Sequence, residues 1–199
     1  MAPLFKRLAS LFAGDSTPPT AVERFQIHGV PVEVDNTRPD IATVDVVERL
    51  SDALGLIATH QPWRLRHLQR DIQCIRVERF ACRGAFVPGE RVIITELTFL
   101  ARRDISAAPV ASSIVHEGIH ARVHAMGVRR DGYQLAREER LCRRAELAFG
   151  EALPAALGAP VIERARASLA LDDLDVAPVV DWNEAQRRQQ QVDASANGS

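Results

Sequence analysis

The sequence predicts an α+β fold: a small antiparallel or mixed β-sheet packed against one central helix, followed by a helical C-terminal half. Three observations lead there. Short strand-like apolar runs are confined to roughly the first hundred positions, and from about residue 107 onward apolar residues recur every three or four. Between these halves there is no regular alternation of strand and helix of the kind that builds an all-parallel sheet.

Taken in order, residues 1–20, ending in "STPPT", read as a flexible segment, 21–180 as a single domain and 181–199 as a disordered tail. "ERFQIHGVPVEVD" alternates apolar residues about His28-Gly29 and predicts a hairpin. "VDVVERLSDALGLIA" carries Val47, Leu50, Leu54 and Ile57 at helical spacing, and a second short helix follows Pro62. "IQCIRVERFACRGAFVPGERVIITELTFL" reads as two strands, 72–80 and 91–99, joined by a loop that turns at Pro88-Gly89. The second of these is either a sheet edge or an interior strand. Helices are expected over 107–126, 134–153 and 160–170.

With 199 residues, 46% of them hydrophobic and 26% charged, the chain can bury one sizeable core. A net charge of -1 gives no global attraction for nucleic acid or an anionic membrane, and no apolar run is long enough for membrane insertion. Near the N-terminus, "PLFKRLASLF" lacks the small-residue exit of an export signal. Three cysteines, Cys74, Cys82 and Cys142, show no C-x-x-C spacing, which implies free thiols and a cytoplasmic protein. The basic clusters "WRLRHLQR" and "RLCRR" read as solvated helix faces.

Chemistry concentrates in "SSIVHEGIHARVHAMG", residues 112–127. Val115, Ile119 and Val123 form an apolar stripe, Ser106 offers an N-cap, and Gly127 ends the helix. On that helix His116 and His120 lie one turn apart, so both imidazoles can converge on one zinc ion, and Glu117 stands where a carboxylate can take a proton from metal-activated water. The plainer reading is a pair of hydrogen-bonded helix histidines with a solvated glutamate. His124, a further turn along, reads as a supporting or surface residue.

A catalytic zinc takes a third protein ligand, and "GYQLAREERLCRRAELAFGEALP" offers three. Leu141, Cys142, Ala145, Ala148, Phe149 and Ala152 define its apolar face, with Glu138 pointing into the middle. Glu139 and Glu146 share the flank, as suits a ligand and a carboxylate that orients a ligand. Tyr133, the only tyrosine, could polarise a substrate carbonyl. Over residues 112–150 the chain resembles the glutamate-type zincins, or gluzincins, in which an H-E-x-x-H helix is followed by a helix supplying a glutamate. The resemblance implies a zinc metallopeptidase acting on a peptide or protein, with His116, His120 and Glu139 as ligands and Glu117 as general base. Glu138 and Glu146 stay open as alternatives for the third ligand, and Arg143 stands where the family has a second acid. The other reading is a zinc-stabilised, non-catalytic peptide-binding or regulatory protein.

Overall fold

A computed structural model describes residues 22–128, 132–177 and 182–196, and the N-terminal segment 1–20 lies outside these. The chain begins with the expected hairpin, β1 (Glu23–Ile27) and β2 (Val30–Val34). Its two turn residues, His28 and Gly29, have φ of 48° and 74°, and this left-handed pair matches the twist of the strands it joins. Val30, Val32 and Val34 are buried on one face of β2. α1 (Thr43–His60) covers that side of the sheet with Val46, Leu50, Ala53, Leu54 and Ile57, and α2 (Pro62–Asp71), opened by its proline, leads back to the sheet.

β3 (Cys74–Glu78) runs parallel to β2, β5 (Val92–Glu96) runs parallel to β3, and β4 (Gly84–Val87) folds back antiparallel to β5. The order β1-β2-β3-β5-β4 makes a mixed sheet with β1 and β4 at its edges and β5 inside. Every residue of β5 is buried: Ile93 joins the main core, while Val92 and Ile94 pack with Cys74 and Phe80 in a second cluster.

Two expectations about this region need correction. What reads as a loop contains a strand, β4, whose four residues are too few to alternate visibly. The strand expected to reach residue 99 stops at Glu96, because the Glu96 carboxylate accepts the Phe99 N–H at 2.7 Å and caps a short helix, α3 (Leu97–Ala101).

The rest is helical: α4 (Ala108–Ala125), α5 (Gly132–Ala152), α6 (Ala155–Leu169), α7 (Asp173–Val176) and α8 (Trp182–Ala196). α6 starts before the expected residue 160 because Pro154 takes the capping position, leaving Pro160 inside the helix. Gly150 and Gly158 bring α5 and α6 to backbone contact, since a Cβ on Gly158 would collide with the Gly150 carbonyl oxygen. The tail expected to be disordered carries α8 instead. Its Asp193 accepts from Arg38 at 3.2 Å and from Arg79 at 2.7 Å, and its glutamines and alanines are adequate helix formers despite their weak hydrophobicity. Among the described residues no helix is long and apolar enough to cross a membrane, and Cys74, Cys82 and Cys142 are all free thiols.

Candidate metal centre

α4 lies between the sheet with α1 and α2 on one side and α5 on the other. That position corrects the single apolar stripe expected for it: Val110, Ala111, Ile114, Val115, His116, Glu117, His120 and Ala121 are buried on several faces, while Ile119 and Val123 are only half-buried. Ser106 sits just ahead of the helix and its Oγ accepts the Ala108 N–H at 3.3 Å; Gly127, with φ of 70°, ends it. Gly118 leaves room for α2, for a Cβ there would lie 2.9 Å from Leu68 Cδ2.

His116 and His120 turn their Nε2 atoms toward each other, 3.2 Å apart. α5 then presents Glu139, with Oε2 3.2 Å from His116 Nε2 and Oε1 3.2 Å from His120 Nε2. Donors around a tetrahedral ion at the usual Zn–N distance are separated by about 3.3 Å, a spacing that these hydrogen-bonded atoms share. The far side of each ring is held as well. His116 Nδ1 lies 2.5 Å from Glu146 Oε1, and His120 Nδ1 lies 2.6 Å from Glu138 Oε1. A carboxylate on Nδ1 keeps the proton there and leaves the Nε2 lone pair free, the pairing commonly found behind metal-bound histidine.

Glu138 and Glu146 therefore occupy equivalent places, one behind each histidine. Glu138 does enter the buried face of α5, where it meets His120. Glu146 also accepts from Ser112 Oγ at 3.3 Å and from Arg143 Nη1 at 2.7 Å, so Arg143 neutralises a carboxylate of the site.

Cys142 is the residue the sequence reading missed. Its Sγ is 3.5 Å from His120 Nε2, and His116, His120 and Cys142 form a buried group whose ligand atoms all lie within 4.8 Å of one another. Counted as apolar, it hid a signal: 138, 142 and 146 are spaced four apart and 139 and 142 three apart, one continuous face of chemically capable side chains.

The electrostatics follow from carboxylates crowded about two imidazoles. Burial favours neutral His116, but hydrogen bonds to Glu139 and Glu146 outweigh it and raise the pKa; His120, set against burial by Cys142, Glu138 and Glu139, is raised well above the ordinary value. Burial would lift Glu139, yet its two histidine partners hold it far below the usual carboxylate range, and Glu146 is lowered against burial by His116 and then by Arg143 and Arg164. Burial pushes the Cys142 thiol up to about 11, opposed by His120. Protons on the imidazoles and a cation at the Nε2 side are alternative answers to the same buried negative charge.

His116, Glu117, His120 and Glu139 open on a cleft of ≈ 450 Å³, whose other wall includes Gly84, Ala85 and Phe86. The wall is thus the edge strand β4, whereas β5 is interior. Gly84 lies so close to α4 that a Cβ there would be 3.4 Å from Glu117 Cγ and 3.2 Å from Ser113 Oγ. His124 stays apart from the other two histidines, exposed, with its ring 5.7 Å from that of Phe86. The side chain of Tyr133 lies outside the described residues. No protein-family model, no curated protein and no solved structure matches this chain.

Proposed function

We propose that the protein is a cytoplasmic zinc-dependent hydrolase, in the first instance a metallopeptidase, with His116, His120 and Glu139 as metal ligands and Glu117 as general base. The observation that carries this reading is the set of 3.2 Å separations among the two Nε2 atoms and the Glu139 oxygens, with a carboxylate behind each ring. When bound, zinc supplies Lewis-acid polarisation of water and of a substrate carbonyl.

The chain's own residues do the rest. Glu146 and Glu138 hold both Nδ1–H groups, which fixes the rings and aims both Nε2 atoms at one point. Glu117 takes a proton from the attacking water on a carboxylate oxygen and passes it to the leaving amine nitrogen. Being an edge strand, β4 offers unpaired backbone N–H and C=O groups along the cleft, with which an extended peptide can form main-chain hydrogen bonds.

One observation favours a second reading. Cys142 would make a fourth protein donor beside His116, His120 and Glu139, and four protein ligands are typical of structural zinc. A zinc-stabilised peptide-binding or regulatory protein would then keep the cleft without turnover.

Glu117→Gln separates the two, read by zinc content and by cleavage of a peptide library. The hydrolase retains its metal and loses activity by roughly 10²-fold or more. Wild-type protein that carries zinc but cleaves nothing supports the second reading.

A further inference from the structure

We infer that the metal cleft contains a carboxylate-binding subsite formed by Arg83, Arg143 and Arg164, so that the peptides it accepts carry an anionic group near the bond placed at the metal. The inference rests on the reading of the cleft as a peptide site.

Three elements deliver the three guanidinium groups: the segment between β3 and β4, α5 and α6. All three arginines line the same cleft as His116, Glu117 and Glu139. Arg83 and Arg164 also border an adjoining cavity of ≈ 220 Å³, together with Phe99 and Ser112, so the basic wall continues away from the metal ligands. Glu146 marks the junction, for it touches His116 on one side and Arg143 on the other.

Charge is unbalanced at this wall. Several arginines of the fold find acids, as in Arg38 with Asp40, Arg140 with Asp173 and Arg102 with Asp104, and Arg49 and Arg91 find backbone carbonyls. Among the described residues neither Arg83 nor Arg164 has a salt bridge; the Arg83 guanidinium lies 5.2 Å over the Phe99 ring instead. Arg143 reaches Glu146, but that carboxylate is already bound to His116 and Ser112, and Arg143 Nε is buried without a hydrogen-bond partner. Arg164 is held below the usual arginine range by burial and by Arg83 and Arg143, with Glu146 opposing. Like charges gathered this way repel one another, and an incoming anion relieves the repulsion while meeting the planar fork that arginine presents to a carboxylate.

The neighbouring charges limit what that anion can be. Glu117 and Glu139 share the cleft, so a polyanion such as a nucleic-acid strand would meet two carboxylates as it met the arginines. A peptide with one carboxylate places its neutral amide at the metal end and its charge at the basic end. The same carboxylate chemistry has two sources, the free C-terminus of the peptide or an Asp or Glu side chain.

The test uses zinc-loaded full-length protein and three sets of acetylated hexapeptides: neutral with a free C-terminus, neutral and amidated, and amidated with one Asp or Glu. Cleavage is read by mass spectrometry on wild type, and retention without turnover on the Glu117→Gln protein. The expected result is at least a tenfold preference for carboxylate-bearing peptides over the neutral amidated set, and which of the two sets wins identifies the source. The double variant Arg83→Gln with Arg164→Gln should bring the preference close to parity at unchanged zinc content, chiefly through KM. Equal handling of all three sets by wild type overturns the subsite and needs no variant, and so does a preference that survives the double substitution. Carboxylate-dependent retention without cleavage leaves the subsite standing and removes the hydrolase; cleavage without carboxylate preference does the reverse.

Discussion

His116 and His120 each divide two ring nitrogens between two tasks, Nδ1 to a carboxylate and Nε2 to a shared centre, and every other role in the site depends on that division. Glu138→Gln or Glu146→Gln should therefore weaken zinc binding by about 10- to 100-fold, the usual cost of losing an orienting carboxylate. Glu139→Ala should cost more, and competition with a chromophoric chelator measures all three. If Glu139→Ala binds zinc as tightly as wild type while Cys142→Ser does not, the third ligand is the thiolate.

The same pairs fix how stability depends on pH. His116 and His120 are raised in the folded protein, so without metal their contribution is complete below the ordinary value of 6.5 and is lost as pH rises through the folded values. Glu139 and Glu146 are lowered, so theirs is complete above the ordinary 4.5 and is lost as pH falls through the folded values. The metal-free cluster thus stabilises most between these limits. At the proposed site zinc would have to displace the imidazole protons, so the rise in Tm on adding zinc should be larger at pH 8 than at pH 5.5. A shift independent of pH would place the metal on other residues. His116, Glu117 and His120 were legible in the sequence because an i, i+4 pair converges on any helix. The roles of Glu138 and Cys142 were not, because helical phase says which residues share a face and not which atoms stand opposite.

At the scale of elements, the approach of α5 to α6 through Gly150 and Gly158 sets Arg164 beside the wall formed by Arg143. Gly158→Ala forces a methyl group into the Gly150 carbonyl, and the expected loss is about 1–3 kcal/mol in urea denaturation, with reduced activity from the displaced helix. A neutral or stabilising result would mean that the helices part easily. Asp193 ties α8 to Arg38 and Arg79, so Asp193→Asn should make residues 182–196 more sensitive to protease while leaving zinc content unchanged. Elements with a clear apolar period, the β1–β2 hairpin, α1 and α5, were legible within a few residues of their ends, and α4 was bounded by its proline and glycine rather than by a stripe. β4 was not, since four residues with a single buried side chain, Phe86, carry no period. The end of β5 depends on where the Glu96 carboxylate turns, and α8 on a salt bridge to arginines more than a hundred positions away.

Across the whole molecule, the mixed sheet, α1 and α2 enclose one side of α4, and α5 encloses the other. Of the elements that border the cleft, α4 and α5 are thus held by the main core, and β4 is a sheet edge free to pair. The α+β class and its helical second half follow from composition and period alone; the strand order does not, because β4 and β5 exchange places only when pairing is three-dimensional. A site built across α4 and α5 implies that bound zinc ties the two helices together and that losing one histidine loses the ion. The most direct measurement is zinc stoichiometry by elemental mass spectrometry on purified wild type and His120→Ala. The account predicts close to one zinc per chain in the first and none in the second, and full metal content in His120→Ala would contradict it.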